Sequence, residues 1–195
     1  MKKSSVVVFV GLIILAYAPF AKAVDTIAWG TGAFRAFDSD TTTLLSGNAS
    51  SSLGGFVQLL NLGIDGIYNG YVGSGIGVVG DDTVIATTWV GSGMSVVNGA
   101  FAPANIAVSS AVGTKYEIRF FNTPSSNFGA GSVPLSGFYG TSQVFTQAGD
   151  PTTGGTDNFS FNANYSATSP VPEPSTVALM LAGLGVLGFA RMRRK

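Results

Sequence analysis

The sequence predicts an all-β protein: a single antiparallel β-sandwich or jelly-roll-like domain, flanked by an N-terminal signal helix and a C-terminal membrane helix. Runs of β-branched and aromatic residues alternate with Gly, Ser, Thr and Asn clusters through the middle of the chain, which is typical of strands separated by turns. This region shows no capped segment with a helical period of about 3.6 residues. Long apolar runs occur only near the two ends. Three parts are therefore predicted: residues 1–23, 24–168 and 169–195.

The first 23 residues have the composition of a secretory signal peptide. Two lysines precede an apolar run over 6–18, and Pro19 and the small residues Ala21 and Ala23 follow it. A basic region, an apolar region and an Ala-x-Ala site in this order predict cleavage by signal peptidase after Ala23. The alternative is an uncleaved N-terminal anchor, but the apolar run is short for a membrane span.

The clearest strand prediction in the middle region covers 115–120. Apolar and charged residues alternate there, and successive side chains of a strand point to opposite faces. The apolar residues are predicted to face the core. The charged residues, Lys115, Glu117 and Arg119, are predicted to face outwards and to pair along the strand.

Six further segments carry strand-like patterns. A second alternation over 158–165 sets aromatic residues and Ala163 against Asn and Ser, which predicts one strand. The remaining candidates are the segments 56–60, 67–72, 83–90, 105–112 and 138–145.

The C-terminal tail has three parts. The run Pro172, Glu173, Pro174 comes first, and because residues before proline are pushed out of the helical region, it is predicted as a stiff polyproline-like rod. An uncharged apolar segment over 177–190 follows. As a helix it would span roughly 21 Å, which is short of the ~30 Å hydrocarbon core. A basic cluster then marks the cytoplasmic flank of a membrane segment; it consists of Arg191, Arg193, Arg194 and Lys195.

Pro-Glu-Pro-Ser-Thr, a Leu/Gly/Ala-rich helix and an Arg-Met-Arg-Arg-Lys terminus together resemble the PEP-CTERM sorting signal of Gram-negative bacteria that export extracellular polysaccharide. The resemblance implies an exosortase as processing enzyme, acting near Pro172–Pro174. It also implies transient anchoring in the inner membrane by the C-terminal helix, followed by delivery to the cell surface or extracellular matrix. An ordinary C-terminal anchor is the alternative.

The charge of the middle region limits its partners. Between residues 24 and 171 there are three basic side chains, Arg35, Lys115 and Arg119, against nine acidic ones. This acidic balance argues against nucleic acid and anionic lipid as partners. The chain contains no His and no Cys, which excludes His-based acid–base catalysis, thiol nucleophiles, disulfides and the usual zinc ligands.

Carboxylates and aromatic residues are the remaining candidates for a site. A glycan hydrolase needs two acids facing each other across the scissile bond, whereas calcium would use Asp and Asn oxygens in loops. Solvated turns are the favoured interpretation of the acids, with calcium possible and no metal site assigned. The acids considered are Asp38, Asp40, Asp65, Asp81, Asp82 and Glu117. The large aromatics are predicted to be core, with a sugar-stacking platform as the alternative; they are Trp29, Trp89, Tyr116, Phe120 and Phe121.

The glycine-rich run 75–80 matches the dinucleotide pattern G-x-G-x-x-G. A strand rather than a helix is predicted to follow it, so a nucleotide site is rejected. The function predicted for the whole chain is a non-enzymatic structural or adhesive component of the surface or exopolysaccharide matrix. The alternatives are a lectin-like, possibly calcium-dependent, glycan-binding module and a glycan-active hydrolase.

Overall fold

The computed structural model describes residues 25–49, 53–71, 77–94, 97–124, 134, 136–149 and 154–171. These residues are all-β and contain no helix. The strands are β1 (Asp25–Gly30), β2 (Ala36–Phe37), β3 (Gly55–Asn61), β4 (Thr83–Trp89), β5 (Ile106–Val108), β6 (Lys115–Pro124), β7 (Phe138–Thr141), β8 (Phe145–Thr146), β9 (Thr156–Ser160), β10 (Tyr165–Ser166) and β11 (Ser169–Pro170).

The largest sheet has six strands and is antiparallel throughout. Its order is β11-β7-β6-β3-β4, and β8 pairs with the start of β6. A three-stranded sheet has the order β5-β1-β9, and β2 pairs with β10. The β1–β9 and β2–β10 pairings are parallel. Parallel neighbours need a long crossover connection, which local sequence patterns do not reveal.

The main hydrophobic core contains side chains from both larger sheets. Ile27 and Phe159 come from the three-stranded sheet, and Val57, Ile118 and Phe120 come from the six-stranded sheet. One apolar layer shared by two sheets is the arrangement of a β-sandwich.

Several strand predictions are confirmed. The segments 56–60, 83–90 and 115–120 correspond to β3, β4 and β6. The apolar residues of the 115–120 alternation, Tyr116, Ile118 and Phe120, lie in the core as predicted. The segment 105–112 contains only the short strand β5, and 138–145 divides into β7 and the start of β8.

Two strand predictions are wrong. The segment 158–165 is not one strand, because β9 ends at Ser160 and β10 begins at Tyr165 in a different sheet. The intervening residues include Asn162 and Asn164, and asparagine favours turns. No strand forms over 67–71, the described part of the predicted segment 67–72. Gly70 there has a φ of 98°, which interrupts an extended chain.

The two ends of the chain, residues 1–24 and 172–195, lie outside the described residues. The predicted signal helix and membrane helix both fall there. Among the described residues, no helix has the length and apolarity of a membrane span.

Candidate functional site

A buried arginine lies on the face of β6 that the sequence predicts to be exposed. Arg119 is 0% exposed, and Glu117 on the same face is 4% exposed. The prediction that these two charges face outwards is therefore wrong. Residues following β3 fold over this face and supply partners to it, including the backbone of Gly77.

The guanidinium group of Arg119 donates hydrogen bonds to several described residues, including Gln58, Gly77 and Tyr68. Nε and Nη2 donate to the side-chain oxygen of Gln58, at 3.0 and 2.5 Å. Nη1 donates to the carbonyl oxygen of Gly77 at 2.7 Å and to the hydroxyl oxygen of Tyr68 at 3.2 Å. Charge-assisted hydrogen bonds of this kind stabilise a buried cation and fix its orientation.

Aromatic rings enclose the same guanidinium group. Its central carbon lies 4.9 Å from the ring centroid of Tyr71, 5.4 Å from that of Phe121 and 6.0 Å from that of Tyr68. Cation–π attraction is stronger where water is excluded. We refer to these residues together as the Arg119 cluster: Gln58, Tyr68, Tyr71, Arg119 and Phe121.

The two phenol groups of the Arg119 cluster, on Tyr68 and Tyr71, are weaker acids than an exposed tyrosine. Burial raises the pKa of Tyr71 to about 12, although the positive charge of Arg119 opposes the shift. Burial also raises the pKa of Tyr68, again against the opposing effect of Arg119. Both side chains therefore stay neutral at physiological pH and act as packing and hydrogen-bonding groups.

Two buried carboxyl groups belong to the same region. Burial is the main cause of the raised pKa of Glu117. A hydrogen bond from Thr141 opposes this shift, and the negative charge of Asp82 adds to it. Burial likewise raises the pKa of Asp82, which is 3% exposed. Asp82 Oδ2 accepts a hydrogen bond from the backbone N–H of Asn69 at 2.9 Å, whereas Oδ1 is buried without a partner.

Two surface cavities are formed by described residues, and neither of these two acids lines them. One cavity of about 400 Å³ is lined by Gly63, Ile64, Asp65, Gly66, Gly113, Thr114 and Lys115. The other, of about 360 Å³, is lined by Asn61, Ile85, Ile106, Ala107, Val108, Ser109, Ser110 and Tyr116. The Arg119 cluster and its acids form a polar layer between the sheet and the described residues 62–71 and 77–82.

The other acids singled out in the sequence lie in turns. The carboxylate of Asp40 accepts hydrogen bonds from the backbone N–H groups of Thr42 and Thr43, at 2.9 and 2.7 Å. A hydrogen bond from the hydroxyl of Thr43 contributes most to lowering the pKa of Asp40 to about 2, and the two backbone hydrogen bonds add to this effect. Asp38 accepts from the backbone of Ser39 at 2.6 Å and from Asn122 Nδ2 at 2.8 Å. Both acids stabilise the turn that follows β2.

Asp65, in the turn after β3, and Asp81, in the turn before β4, lie near each other at the surface. Asn69 Nδ2 donates to Asp81 Oδ1 at 3.3 Å and to Asp65 Oδ2 at 3.5 Å. The backbone N–H of Ile64 donates to Asp81 Oδ2 at 2.6 Å and lowers the pKa of Asp81. Across the parts of the chain that are described, no group of three acidic side chains is arranged to hold a metal ion.

The aromatic residues are mostly core, as predicted. Trp29, Tyr116, Phe120 and Phe121 are buried. Trp89 is half-buried, and its indole N–H donates to the carbonyl oxygen of Asn48 at 3.0 Å.

The glycine-rich run is followed by β4 rather than by a helix. This confirms the prediction that a strand follows the run, whereas the dinucleotide fingerprint has a helix at that position.

The sequence-predicted sorting and cleavage residues lie outside the described residues; they are Ala21, Ala23, Pro172, Glu173, Pro174, Arg191, Arg193, Arg194 and Lys195. The described chain nevertheless reaches the residue before Pro172. Pro170 in β11 pairs with Phe138, and the backbone N–H of Val171 donates to the carbonyl oxygen of Gly137 at 2.9 Å. The side chain of Val171 is buried in a cluster with Tyr71 and Phe121.

Comparison with known proteins adds one match. Residues 170–195 match the PEP-CTERM protein-sorting motif, which confirms the resemblance found in the tail. No other family is recognised in the middle region. No curated protein and no solved structure matches the chain.

Proposed function

We propose that this chain, which carries a PEP-CTERM sorting motif and is an exosortase-sorted exported protein, is a non-enzymatic structural or adhesive component of the cell surface or exopolysaccharide matrix. The observation that carries the proposal is the position of the motif. It begins at residue 170, within β11, and Val171 is buried in the β-rich body. The body is thus joined to the sorting signal without an intervening linker among the described residues.

The surface chemistry of the body supports a role in contact with glycans. The exposed positions of β4 include Thr83 and Thr87, and this strand carries no charge. Hydroxyl groups can hydrogen-bond to sugars without electrostatic attraction between the partners. Of the acids singled out in the sequence, Asp38, Asp40, Asp65 and Asp81 lie in turns, and Asp82 and Glu117 are buried. This arrangement supports a binding or structural role over catalysis.

The sorting step is tested by Glu173→Gln in the full chain, expressed in its native host. We expect the variant to accumulate in the inner-membrane fraction and to be depleted from the surface and matrix fractions. Asp40→Asn is the matched control, since it removes an exposed carboxylate from the body and should be delivered normally. Equal delivery of Glu173→Gln and the wild type would remove the basis of the proposal.

The structural or adhesive role is tested separately with exopolysaccharide from the same cells. The processed protein should co-sediment with the extracted polysaccharide, and cells without the gene should retain less matrix. An unchanged matrix together with no co-sedimentation would contradict this role while leaving the sorting step intact.

A second candidate function is specific glycan binding at the cavity of about 400 Å³. The observation that favours it is the combination of Asp65 and Lys115 with an apolar side chain, Ile64, which is 99% exposed beside them. Sugar sites combine a few polar groups with apolar contact area. Lys115→Gln should weaken binding to a soluble fragment of the polysaccharide, whereas Arg35→Gln should not. Repeating the titration with calcium and with a chelator tests whether a metal takes part.

A further inference from the structure

The folded body holds the first two residues of the matched sorting motif. The match begins at Pro170, which lies in β11 opposite Phe138 of β7. The backbone N–H of the next residue, Val171, donates to the carbonyl oxygen of Gly137 at 2.9 Å. Backbone pairing with the body therefore continues into the motif. We refer to the pairing of β11 and Val171 with β7 and Gly137 as the clasp.

The side chain of Val171 anchors the clasp in an apolar cluster. It is 5% exposed and lies in a cluster with Tyr71 and Phe121, against which Tyr139 packs. The ring of Tyr71 lies 5.4 Å from that of Phe121 and 5.2 Å from that of Tyr139. The same tyrosine lies 4.9 Å from the guanidinium carbon of Arg119. The clasp is thus packed against the Arg119 cluster.

The closed clasp makes Val171 inaccessible to a second binding partner. A backbone N–H is a single donor, and that of Val171 is already bonded to Gly137. Binding of an extended peptide by strand addition uses the main-chain hydrogen bonds of the peptide and pockets for its side chains. Neither the N–H nor the buried side chain of Val171 is free for such contacts. An enzyme can therefore bind the motif over its full matched length only when the clasp is open.

We propose that the clasp limits the processing of the sorting tail, because exosortase binds the complete motif only after β11 and Val171 separate from β7. The proposal rests on the proposed function, since it takes exosortase as the processing enzyme. β11 is a two-residue strand at the edge of its sheet, so its separation is a local opening that leaves the core between the sheets folded. The fraction of chains with an open clasp then sets how long the body keeps its tail.

A disulfide that closes the clasp tests the proposal in the full chain, exported in its native host. The chain contains no Cys, so an introduced pair forms a single bond. Tyr139→Cys with Ser169→Cys joins two paired residues of β7 and β11, and both lie outside the matched motif. We expect tail removal, followed by pulse–chase labelling, to slow by about tenfold or more because local opening is blocked. A permeant reductant should restore it.

The matched control disulfide lies on the β1–β9 pair, away from the tail. Thr26→Cys with Thr156→Cys replaces two hydroxyl groups whose oxygens are 2.7 Å apart, and it should leave the rate of tail removal unchanged. Equally slow processing of this control would assign the effect to the disulfide as such and overturn the proposal.

A second variant opens the clasp from the side of the body and needs no disulfide. Tyr139→Ala removes a ring that packs against the cluster of Val171 and leaves every residue of the motif unchanged. We expect tail removal to accelerate by about fivefold, since a modest loss of local stability raises the open fraction by such a factor. Tyr165→Ala, at a half-buried tyrosine packed against the main core instead, is the matched control and should not accelerate it.

The proposal and the proposed function fail in different ways. Wild-type rates in both the locked chain and Tyr139→Ala, with Glu173→Gln still unprocessed, would overturn the clasp alone and show that exosortase needs only the residues from Pro172 onward. Equal acceleration by Tyr139→Ala and Tyr165→Ala would also overturn it, because general loss of stability would then be the cause. Normal processing of Glu173→Gln would contradict the proposed function, and the clasp proposal with it.

Discussion

The two faces of β6 differ in how they are buried. One face carries Tyr116, Ile118 and Phe120, which join the apolar core between the two sheets. The other carries Glu117, Arg119 and Phe121, and the segment after β3 covers it with tyrosines and backbone carbonyl groups. The first face is stabilised by removal of apolar surface from water. The second depends on hydrogen bonds and aromatic contacts that compensate the burial of Arg119.

The largest expected effect comes from the apolar face. Phe120→Ala removes a fully buried ring that lies 5.9 Å from the ring of Phe161. We expect a loss of about 4 kcal/mol in the free energy of unfolding, since the cavity adds to the lost transfer energy. Urea denaturation measures it. A loss below about 1 kcal/mol would mean that the core between the sheets is not packed as described.

The next largest effect comes from the polar face. Arg119→Met keeps much of the side-chain volume but removes the cation, which leaves Glu117 buried without its positive neighbour. We expect a loss of about 3 kcal/mol, with the hydrogen exchange of residues 62–82 accelerated. The matched control is Arg35→Met, because the guanidinium group of Arg35 donates to the carbonyl oxygens of its neighbours Ala33 and Phe34. This substitution should cost about 0.5 kcal/mol. Equal effects of the two substitutions would contradict the distinction between the faces.

A smaller effect of opposite sign is expected at Glu117. Its pKa in the folded state is raised above the ordinary value of 4.5, chiefly by burial. The ionised form therefore destabilises the fold at neutral pH, and stability should rise as the pH falls through the folded pKa towards 4.5. Glu117→Gln should add about 1 kcal/mol at pH 7 and flatten this pH dependence. Unfolding curves between pH 7 and pH 4.5 test it; stability that falls over this range in the wild type, but not in the variant, would reverse the assigned sign.

The smallest effect is expected at the exposed turn acid Asp40, which belongs to neither face. Its folded pKa is lowered from 3.8 to about 2 by hydrogen bonds from Thr43 and Thr42. The stability it contributes is therefore present above pH 3.8 and is lost as the pH falls towards 2. Asp40→Asn should lower the neutral-pH melting temperature slightly and reduce the acid sensitivity in that window. A large loss of stability at pH 7 would contradict this prediction, because it would mean that Asp40 stabilises the fold through contacts beyond its own turn.

The comparison of the two faces also shows what the sequence could predict. Alternation correctly placed Tyr116, Ile118 and Phe120 on the core side, because the period of two follows from strand geometry. It assigned Glu117 and Arg119 to solvent, because a pattern within one strand carries no information about a distant covering segment. Tyr68 and Tyr71 were the usable signal for this covering segment. They lie in a glycine-rich stretch with an imperfect alternation, and that stretch was predicted as a strand.

The candidate sites were predictable to different degrees. The sorting motif is a contiguous pattern, so its residues could be recognised in the chain without a structure. The Arg119 cluster could not, because Arg119 on β6 meets Gln58 and Tyr68, which lie 61 and 51 positions away in the chain. Contacts between residues so far apart are not encoded by any local pattern.

The most direct test of the account is the intact mass of the protein recovered from the surface of its native host. We predict a species that begins at Val24 and lacks the basic terminus Arg191–Lys195. A surface species that still ends at Lys195 would contradict exosortase processing of this chain.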